Sequence, residues 1–436
     1  MQVHYFHKKY ELAQIEKETS MSGKVDKEAL DKLKPELLRN EYYDLYYLAS
    51  VINLDWFDNK KYQATLDELK ALPDIALVKF CILHFQANHS YNVKSDFSTA
   101  LSQLAEAEEL LATIDQYDPR HLYDILQLRA VIYADMKEYQ HTLAKKYFKA
   151  ANAVKLHEMD YYLTLHVNTM QCLLDLEIGN YARCIKKLLA ILKQCRAGGF
   201  VVREVKVLLY LGEVYRLCDK KQLALKYLQS ALNLAQENKI FNEMGDIYHC
   251  IGAVFYAKTF NEQSVEWRDY FLDKALHSYA KALLCHRSDG PRLCRLSLLN
   301  FELGKVLFAQ KYDTEAMKYF CEALSDCNKM KNVNERLLRH THIYIARCYI
   351  KQKDYKKALK YIKIAQTKYN ETKIKGYTFT IDQQDDMLLV YEFYVEYYES
   401  VCNYKQALQY AKQKASLVIQ QKNEVTKNLI KIGNMK

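Results

Sequence analysis

The sequence predicts an all-α protein built from repeated antiparallel helix hairpins. Three observations lead to this fold class. The 436 residues include only 11 Gly and 4 Pro, fewer than the many turns of a sheet-rich sandwich require. Half of the residues are hydrophobic, which is enough to bury a large core. A pattern of small and bulky residues also recurs at fixed helical offsets along most of the chain.

The clearest copy of the pattern starts at Gly212, followed by Tyr215, Ala224, Leu228 and Ala231 at offsets of 3, 12, 16 and 19 residues. The same offsets recur without gaps in two further copies: Gly304, Leu307, Ala316, Phe320 and Ala323, and Ala346, Tyr349, Ala358, Ile362 and Ala365. Residues three or four apart share a helix face. Each copy therefore predicts two helices that approach each other closely at small residues.

Weaker copies extend the pattern in both directions. One copy contains Gly252 and Phe255 on its first helix, and its second helix is delayed by an insert of 11 residues. A first copy near Trp56 and Tyr62 is the least regular. The second helices are anchored near residues 65, 100, 144, 184, 224, 275, 316, 358 and 407. These anchors predict an array of seven to nine hairpins.

These residues resemble the tetratricopeptide repeat (TPR) superfamily, in a long form with about 40 residues per repeat. The family places a small residue and an aromatic on a first helix, then Ala, a bulky residue and Ala on a second helix. Turns such as Lys353-Asp354-Tyr355 and Gly179-Asn180-Tyr181 fit between the two helices. The resemblance implies a right-handed α-solenoid in which first helices line a concave groove and second helices face outward.

The organisation along the chain follows from the same pattern. We expect residues 1–39 to form an N-terminal capping helical segment, residues 40–415 the TPR-like array, and residues 416–436 a C-terminal capping helix or tail. Two segments, 258–272 and 370–384, interrupt the repeat and are expected to form loops, which are frequent binding elements. Pro73, Pro119 and Pro291 fall between units, where a helix must stop.

Composition and charge limit the function classes. The net charge of +10 favours acidic partners in general, but the basic residues form no stripe, so nucleic acid is not the favoured partner. No apolar run reaches the ~18 residues that a membrane span needs, and the N-terminus lacks an apolar signal segment. We therefore expect a cytoplasmic protein without membrane insertion, whose 12 cysteines are buried, reduced thiols.

No catalytic motif is found, and neither an enzyme nor a cofactor is expected. The sequence contains no nucleophile elbow, P-loop, HExxH or kinase signature, and no CxxC pair. The best metal candidate is the set Cys285, His286, Asp289 and Cys294, which lacks the paired spacing of zinc ligands. We therefore expect no metal site.

The candidate binding residues come from the resemblance. In the family the positions that flank the small residue of each first helix are exposed in the groove. Carried onto this sequence, they are His166, Lys206, Tyr210, Glu213, Arg216, His249, Tyr256, Phe301, Lys305, Phe308, His340, Tyr344 and Arg347. This mixed lining suits a protein or peptide with an acidic group and apolar anchors, with Arg216, Lys305 and Arg347 as carboxylate clamps.

The resemblance therefore implies a non-enzymatic scaffold or adaptor that binds a protein or peptide. An alternative is a peptide-responsive bacterial signalling regulator, either a response-regulator phosphatase or a sensor module. A nucleic-acid-associated helical repeat is the third and least favoured interpretation. The groove has its own alternative, since the protein's own terminus or another chain can fill it. The sequence also leaves a homo-oligomer open.

Overall fold

The computed structural model describes residues 2–22, 25–52, 54, 58–94, 96–136, 140–177, 179–260, 262–288, 293–330, 335–373 and 381–433. The chain forms two compact units. Unit 1 comprises Met1–Val214 and Lys226–Glu243, and unit 2 comprises Tyr215–Leu225 and Met244–Lys436. The expected division at residues 39 and 415 stays a prediction.

The described residues form twenty α-helices and one short 3-10 helix, Glu158–Leu163, and contain no strand. The α-helices are α1 (Gln2–Ser22), α2 (Lys27–Arg39), α3 (Tyr43–Ile52), α4 (Asn59–Lys70), α5 (Ala76–Asn92), α6 (Phe97–Ala112), α7 (Pro119–Asp135), α8 (His141–Ala153), α9 (Thr164–Glu177), α10 (Tyr181–Gly198), α11 (Val201–Leu217), α12 (Lys221–Glu237), α13 (Phe241–Thr259), α14 (Val265–Ser288), α15 (Leu293–Ala309), α16 (Asp313–Asn328), α17 (Glu335–Lys351), α18 (Tyr355–Lys373), α19 (Ile381–Ser400) and α20 (Tyr404–Gly433).

Consecutive helices pack as hairpins, as the repeat predicted. In unit 1 the pairs are α5/α6, α7/α8 and α9/α10, and in unit 2 they are α15/α16, α17/α18 and α19/α20. The predicted second-helix positions are buried, for example Ala144, Phe148 and Ala151 on α8 and Ala316, Phe320 and Ala323 on α16. The predicted all-α hairpin fold is therefore confirmed.

Close helix contact explains the glycines of the repeat. A Cβ atom at Gly304 on α15 would lie 2.6 Å from the ring of Phe320, which is fully buried on α16. A Cβ atom at Gly252 on α13 would lie 2.7 Å from the ring of Tyr279 on α14. The small residue of the first helix therefore makes room for the bulky residue of the second helix.

One turn recurs at the end of first helices. Gly179, Asp219, Lys311, Lys353 and Cys402 adopt left-handed backbone angles, with φ between 58° and 75°. The N–H of the next residue donates to the carbonyl five residues back, as in Asp354 N to Tyr349 O at 2.9 Å. This hydrogen bond is that of the Schellman motif, which closes a helix and reverses the chain.

The two predicted interruptions have different outcomes. Residues 265–272 form the first turns of α14 and not a loop, so that expectation is wrong. Ser264 caps this helix, since its Oγ accepts a hydrogen bond from Trp267 N at 3.3 Å, and the segment that follows contains neither Gly nor Pro. In the second interruption α18 continues to Lys373 and α19 begins at Ile381; residues 374–380 lie outside the described residues, as do Trp56, Asp289 and Pro291.

No helix among the described residues is both long enough and apolar enough to cross a membrane.

Candidate binding surfaces

Six of the predicted groove residues come together in unit 2, on the first helices α13, α15 and α17. Lys305 Nζ lies 4.9 Å from the ring centroid of Tyr256 and 5.3 Å from that of Phe301. Arg347 Cζ lies 4.9 Å from the ring centroid of Phe308 and 5.0 Å from that of Tyr344. Both cations therefore make cation–π contacts with the aromatic residues around them.

Arg347 binds carboxylates that belong to the same chain. Its Nε and Nη2 donate to the two carboxylate oxygens of Glu396 on α19, at 3.0 and 2.6 Å, and its Nη1 donates to Glu392 at 3.1 Å. Burial alone would lower the pKa of Arg347, but the hydrogen bond and charge of Glu396 raise it well above its usual range. A carboxylate of a partner would have to displace α19 from this guanidinium.

Lys305 is neutralised in the same way. Its Nζ lies 2.8 Å from Glu302 Oε2, which also accepts a hydrogen bond from Tyr279 Oη at 3.0 Å. Burial would raise the pKa of Glu302, but the charge of Lys305 lowers it overall, so the carboxylate stays ionised. Lys305 and Arg347 are thus not the exposed carboxylate clamps that the resemblance implied.

Two members of this cluster are buried, and the remaining predicted residues of unit 2 are His340, His249 and Arg216. Phe301 and Tyr344 are buried, at 3% and 7% exposed, so they support the surface and do not line it as exposed groups. His340 lies 6.1 Å from Phe301 and His249 lies 5.7 Å from Tyr279, measured between ring centroids. Arg216 is half-buried.

In unit 1 the predicted residues pair with neighbouring first helices. His166 Nδ1 on α9 lies 2.9 Å from Arg203 Nη1 on α11, and burial followed by the charge of Arg203 lowers the pKa of His166 well below its usual range. Lys206 forms an ion pair of 3.0 Å with Glu243 in the first turn of α13. Tyr210 and Glu213 on α11 are half-buried.

A cluster of charged side chains in unit 1 lies beneath α1 and was not predicted from the sequence. Lys9 of α1 is 2% exposed and forms ion pairs with Asp118 and Asp160, at 2.6 Å to Asp160. Asp118 is the N-cap of α7, where its carboxylate accepts from Arg120 N at 2.9 Å. Asp160, in the 3-10 helix, is fully buried.

A second set of contacts holds the two ends of α1. Near its C-terminal end Glu16 accepts two hydrogen bonds from Arg120 of α7, at 2.7 and 2.8 Å. Near its N-terminal end Tyr5 Oη donates to Asp44 of α3 at 2.5 Å, and Asp44 lies 3.2 Å from His121 Nε2. Burial would raise the pKa of Glu16, but the charge of Arg120 lowers it overall.

Asp124 has a raised pKa, whereas the pKa of Glu16 is lowered. Asp124 lies one helical turn after Arg120, at 3.6 Å from its Nε. Burial raises the pKa of Asp124 to about 6, although the charge of Arg120 opposes the shift. The guanidinium of Arg120 is committed to Glu16, which leaves Asp124 the less stabilised of the two carboxylates.

A metal site is not formed by the described residues, in which no group of three or more His, Cys, Asp or Glu side chains is placed to hold an ion. Of the predicted metal candidates, His286 lies 3.3 Å from Asp246 Oδ1 on α13. The twelve cysteines are free thiols, but three of them are exposed, so the expectation that all are buried is wrong. Burial raises the pKa of Cys172 to about 12 and that of Cys218 to about 11. High thiol pKa values keep these side chains unreactive at neutral pH.

The hairpins, their buried small residues and their first-helix surfaces define a TPR-like α-solenoid. The fold is similar to that of aspartyl phosphate phosphatase F from Bacillus subtilis, with a TM-score of 0.51 and 16% sequence identity over 87% of this chain and 95% of that chain. It is also similar to the apo form of the quorum sensor NprR from B. thuringiensis, with a TM-score of 0.50 and 13% identity over 89% of this chain and 97% of that chain. No protein-family model and no curated protein matches the sequence. At these identities the likeness is one of fold.

Proposed function

We propose that the protein is a non-enzymatic scaffold that binds a segment of a partner protein or peptide on the first-helix faces of its hairpins. The observation that carries this proposal is α1. This helix of the same chain already lies on side chains of α3 and α7 and of the 3-10 helix, and contacts them through Tyr5, Lys9 and Glu16. Helix binding in a groove is a common mode of peptide recognition.

The chemistry of the faces supports recognition more than catalysis. In unit 1 the charged groups beneath α1 form ion pairs with one another and with α1. In unit 2 aromatic rings surround Lys305 and Arg347, and aromatic residues and Arg are enriched in protein interfaces. The similar folds include an aspartyl phosphate phosphatase and a quorum sensor, so a signalling role is the second candidate.

Site-specific photo-crosslinking tests the proposal. A photoreactive phenylalanine replaces Tyr210 in unit 1 or Phe308 in unit 2, both half-buried on first helices. Matched controls carry it at Leu189 or Leu284, exposed at 40% and 66% on the second helices α10 and α14. In the native cell, we expect the first-helix positions to give a discrete protein or peptide adduct that the controls do not give.

Two results would count against the proposal. Adducts of equal yield from Leu189 and Leu284 would move the interaction to the second helices. Turnover by the purified chain of a phosphorylated receiver domain, measured by loss of the acyl phosphate, would replace the scaffold with the phosphatase form of the signalling interpretation.

A further inference from the structure

Helix α1 covers far more of unit 1 than a helix that only caps the end of an array. In a stack of hairpins each repeat contacts only its neighbours, so an end cap would contact the first hairpin. α1 instead contacts Glu36 on α2, Asp44 on α3, Asp118 at the start of α7, and Asp160. Lys17 near its end lies 6.0 Å from the ring of Phe200, just before α11. These contacts extend over more than 160 residues of sequence.

We propose that the surface of unit 1 beneath α1 is a binding site for a helix of a partner protein, and that α1 is its displaceable occupant. The α1 site is formed by Asp44, Asp118, Arg120 and Asp160. This inference rests on the proposed function, because it names the partner's chemistry and the regulation of the first-helix face. With α1 in place, the site is closed to the partner.

The contacts of α1 define the partner that fits. Tyr5, Lys9, Leu12 and Glu16 are spaced by four, three and four residues, so they share one helix face. A competing helix needs a hydrogen-bond donor for Asp44, a basic group between Asp118 and Asp160, an apolar side chain at the position of Leu12, and an acid for Arg120. The site presents three carboxylates and one guanidinium, so the partner helix is amphipathic with a basic centre.

This chemistry differs from the sequence-based expectation of an acidic anchor. The predicted groove carries the cations Arg216, Lys305 and Arg347, whereas the α1 site is predominantly acidic. The predicted partner needs one acidic residue, at the position that Glu16 holds in α1, because Glu16 pairs with Arg120.

The balance of forces permits α1 to leave. Leu12 and Ile15 pack into the core that contains Leu30, Leu33 and Leu37, and this contact favours the closed state. The other edge of α1 is ionic, and charges taken out of water regain little net free energy from pairing. When α1 leaves, Asp118 and Asp160 lose the charge of Lys9, and Arg120 loses that of Glu16 but keeps its contact with Asp160, so we infer that water takes the place of the side chains of α1. A partner helix that supplies both the apolar and the ionic contacts of α1 therefore competes with α1 for the same site.

Cleavage of the folded full chain tests the proposal. A sequence-specific protease site replaces residues 23 and 24, between Ser22 and Val25, and the protein is cleaved after folding. A fluorescent peptide of residues 2–22 is then added, and its binding is followed by fluorescence anisotropy. We expect the labelled peptide to exchange with the cleaved α1, and to bind the cleaved protein at least tenfold more tightly than the uncleaved chain.

Matched peptides and chains test the chemistry of the site. The Lys9→Glu peptide should bind at least tenfold more weakly, because it places a carboxylate between Asp118 and Asp160. The control peptide Val3→Glu also gains negative charge, but at a position 86% exposed, and should bind as the wild-type peptide does. In the uncleaved protein, Lys9→Glu should increase hydrogen exchange in α1 and open the site to wild-type peptide, whereas Lys27→Glu on the exposed surface of α2 should not.

Three results would overturn the proposal. They are the absence of exchange after cleavage, equal binding of the Lys9→Glu and Val3→Glu peptides, and loss of helical circular dichroism beyond that of α1 itself when α1 dissociates. The last result would make α1 a structural part of unit 1. None of the three would alter the crosslinks from Phe308. Conversely, missing crosslinks with a freely exchanging α1 would count against the scaffold and not against the α1 site.

Discussion

His84 on α5 is a buried histidine that the fold keeps neutral. Its Nδ1 lies 2.8 Å from Tyr47 Oη, and its ring stacks on Phe80. Burial, together with the positive charges of His121 and Arg120, lowers the pKa of His84 to about 3. An unfolded histidine has a pKa near 6.5. Between pH 6.5 and pH 3 the unfolded chain therefore binds a proton that the folded chain does not, and stability falls as pH falls.

Replacement of His84 should remove this dependence. We expect the wild-type protein to lose about 2 kcal/mol between pH 7 and pH 5 through this group alone, from about 1.4 kcal/mol for each pH unit below 6.5. His84→Gln keeps a hydrogen-bonding group for Tyr47 but cannot titrate, so its loss should be smaller by that amount. Urea denaturation at both pH values measures the difference. His277→Gln, on the exposed surface of α14, is the control, and an identical pH dependence in all three proteins would show that His84 does not contribute to it.

At the scale of the element, the free-energy cost of the recurring turn between first and second helices depends on which residue adopts the left-handed backbone. A left-handed backbone costs an L-residue roughly 1–2 kcal/mol, and glycine avoids this cost. One turn uses Gly179, whereas another uses Lys353 at φ 62°. The same geometry is therefore relaxed in one hairpin and strained in the other.

Substitutions at these turns should have opposite signs. Gly179→Ala should lower the free energy of unfolding by about 1 kcal/mol, because it adds a Cβ to a left-handed residue. Lys353→Gly should raise it by up to about 1 kcal/mol, since relief of strain exceeds the added flexibility of the unfolded chain. Lys356→Gly makes the same change three residues later, inside α18, and should lower stability by about 1 kcal/mol. Denaturant titration measures the free energy of unfolding of all three variants. Equal losses of stability for Lys353→Gly and Lys356→Gly would show that the backbone at Lys353 is not strained.

The sequence predicted best those helices whose packing partner is the next helix along the chain. Small and bulky residues at offsets of 12, 16 and 19 report a helix pair that packs directly, and Ala316, Phe320 and Ala323 are buried as that spacing requires. The start of α14 was missed because a Ser-capped helix and a polar insert look alike when they interrupt a repeat. Its caps and its buried Leu272 become evident only once neighbouring helices are placed.

In the candidate sites, the sequence predicted positions on the first helices but not the partners that lie far away along the chain. The clustering of Tyr256, Lys305 and Phe308 followed from first-helix positions, which the repeat defines. The partners that neutralise these cations did not, because Glu392 and Glu396 lie on α19, 45 and 49 residues beyond Arg347. Glu16 and Arg120 are 104 residues apart. No local periodicity links such pairs, and the face of α1 mixes charged and apolar residues, so it gave no clear amphipathic signal.

At the scale of the whole molecule, each unit contains a hydrophobic cluster of its own. Tyr123 and Phe148 belong to a buried cluster of unit 1, and Phe301 and Phe320 belong to one of unit 2. In repeat proteins stability is close to a sum of repeat and nearest-neighbour contributions, so a local loss of packing stays local. Helices that depend on one core should therefore open independently of those that depend on the other.

Matched core truncations, followed by hydrogen exchange and mass spectrometry, test this independence. Phe148 and Phe320 occupy the same repeat position on α8 and α16, both fully buried, and truncation of either to Ala should cost about 3–5 kcal/mol. We expect Phe320→Ala to increase amide exchange in α15 to α18 while α5 to α8 exchange as in the wild type. Phe148→Ala should give the reverse pattern, so each variant is the control for the other. A uniform increase across both units from either variant would show instead that the array unfolds as one cooperative body.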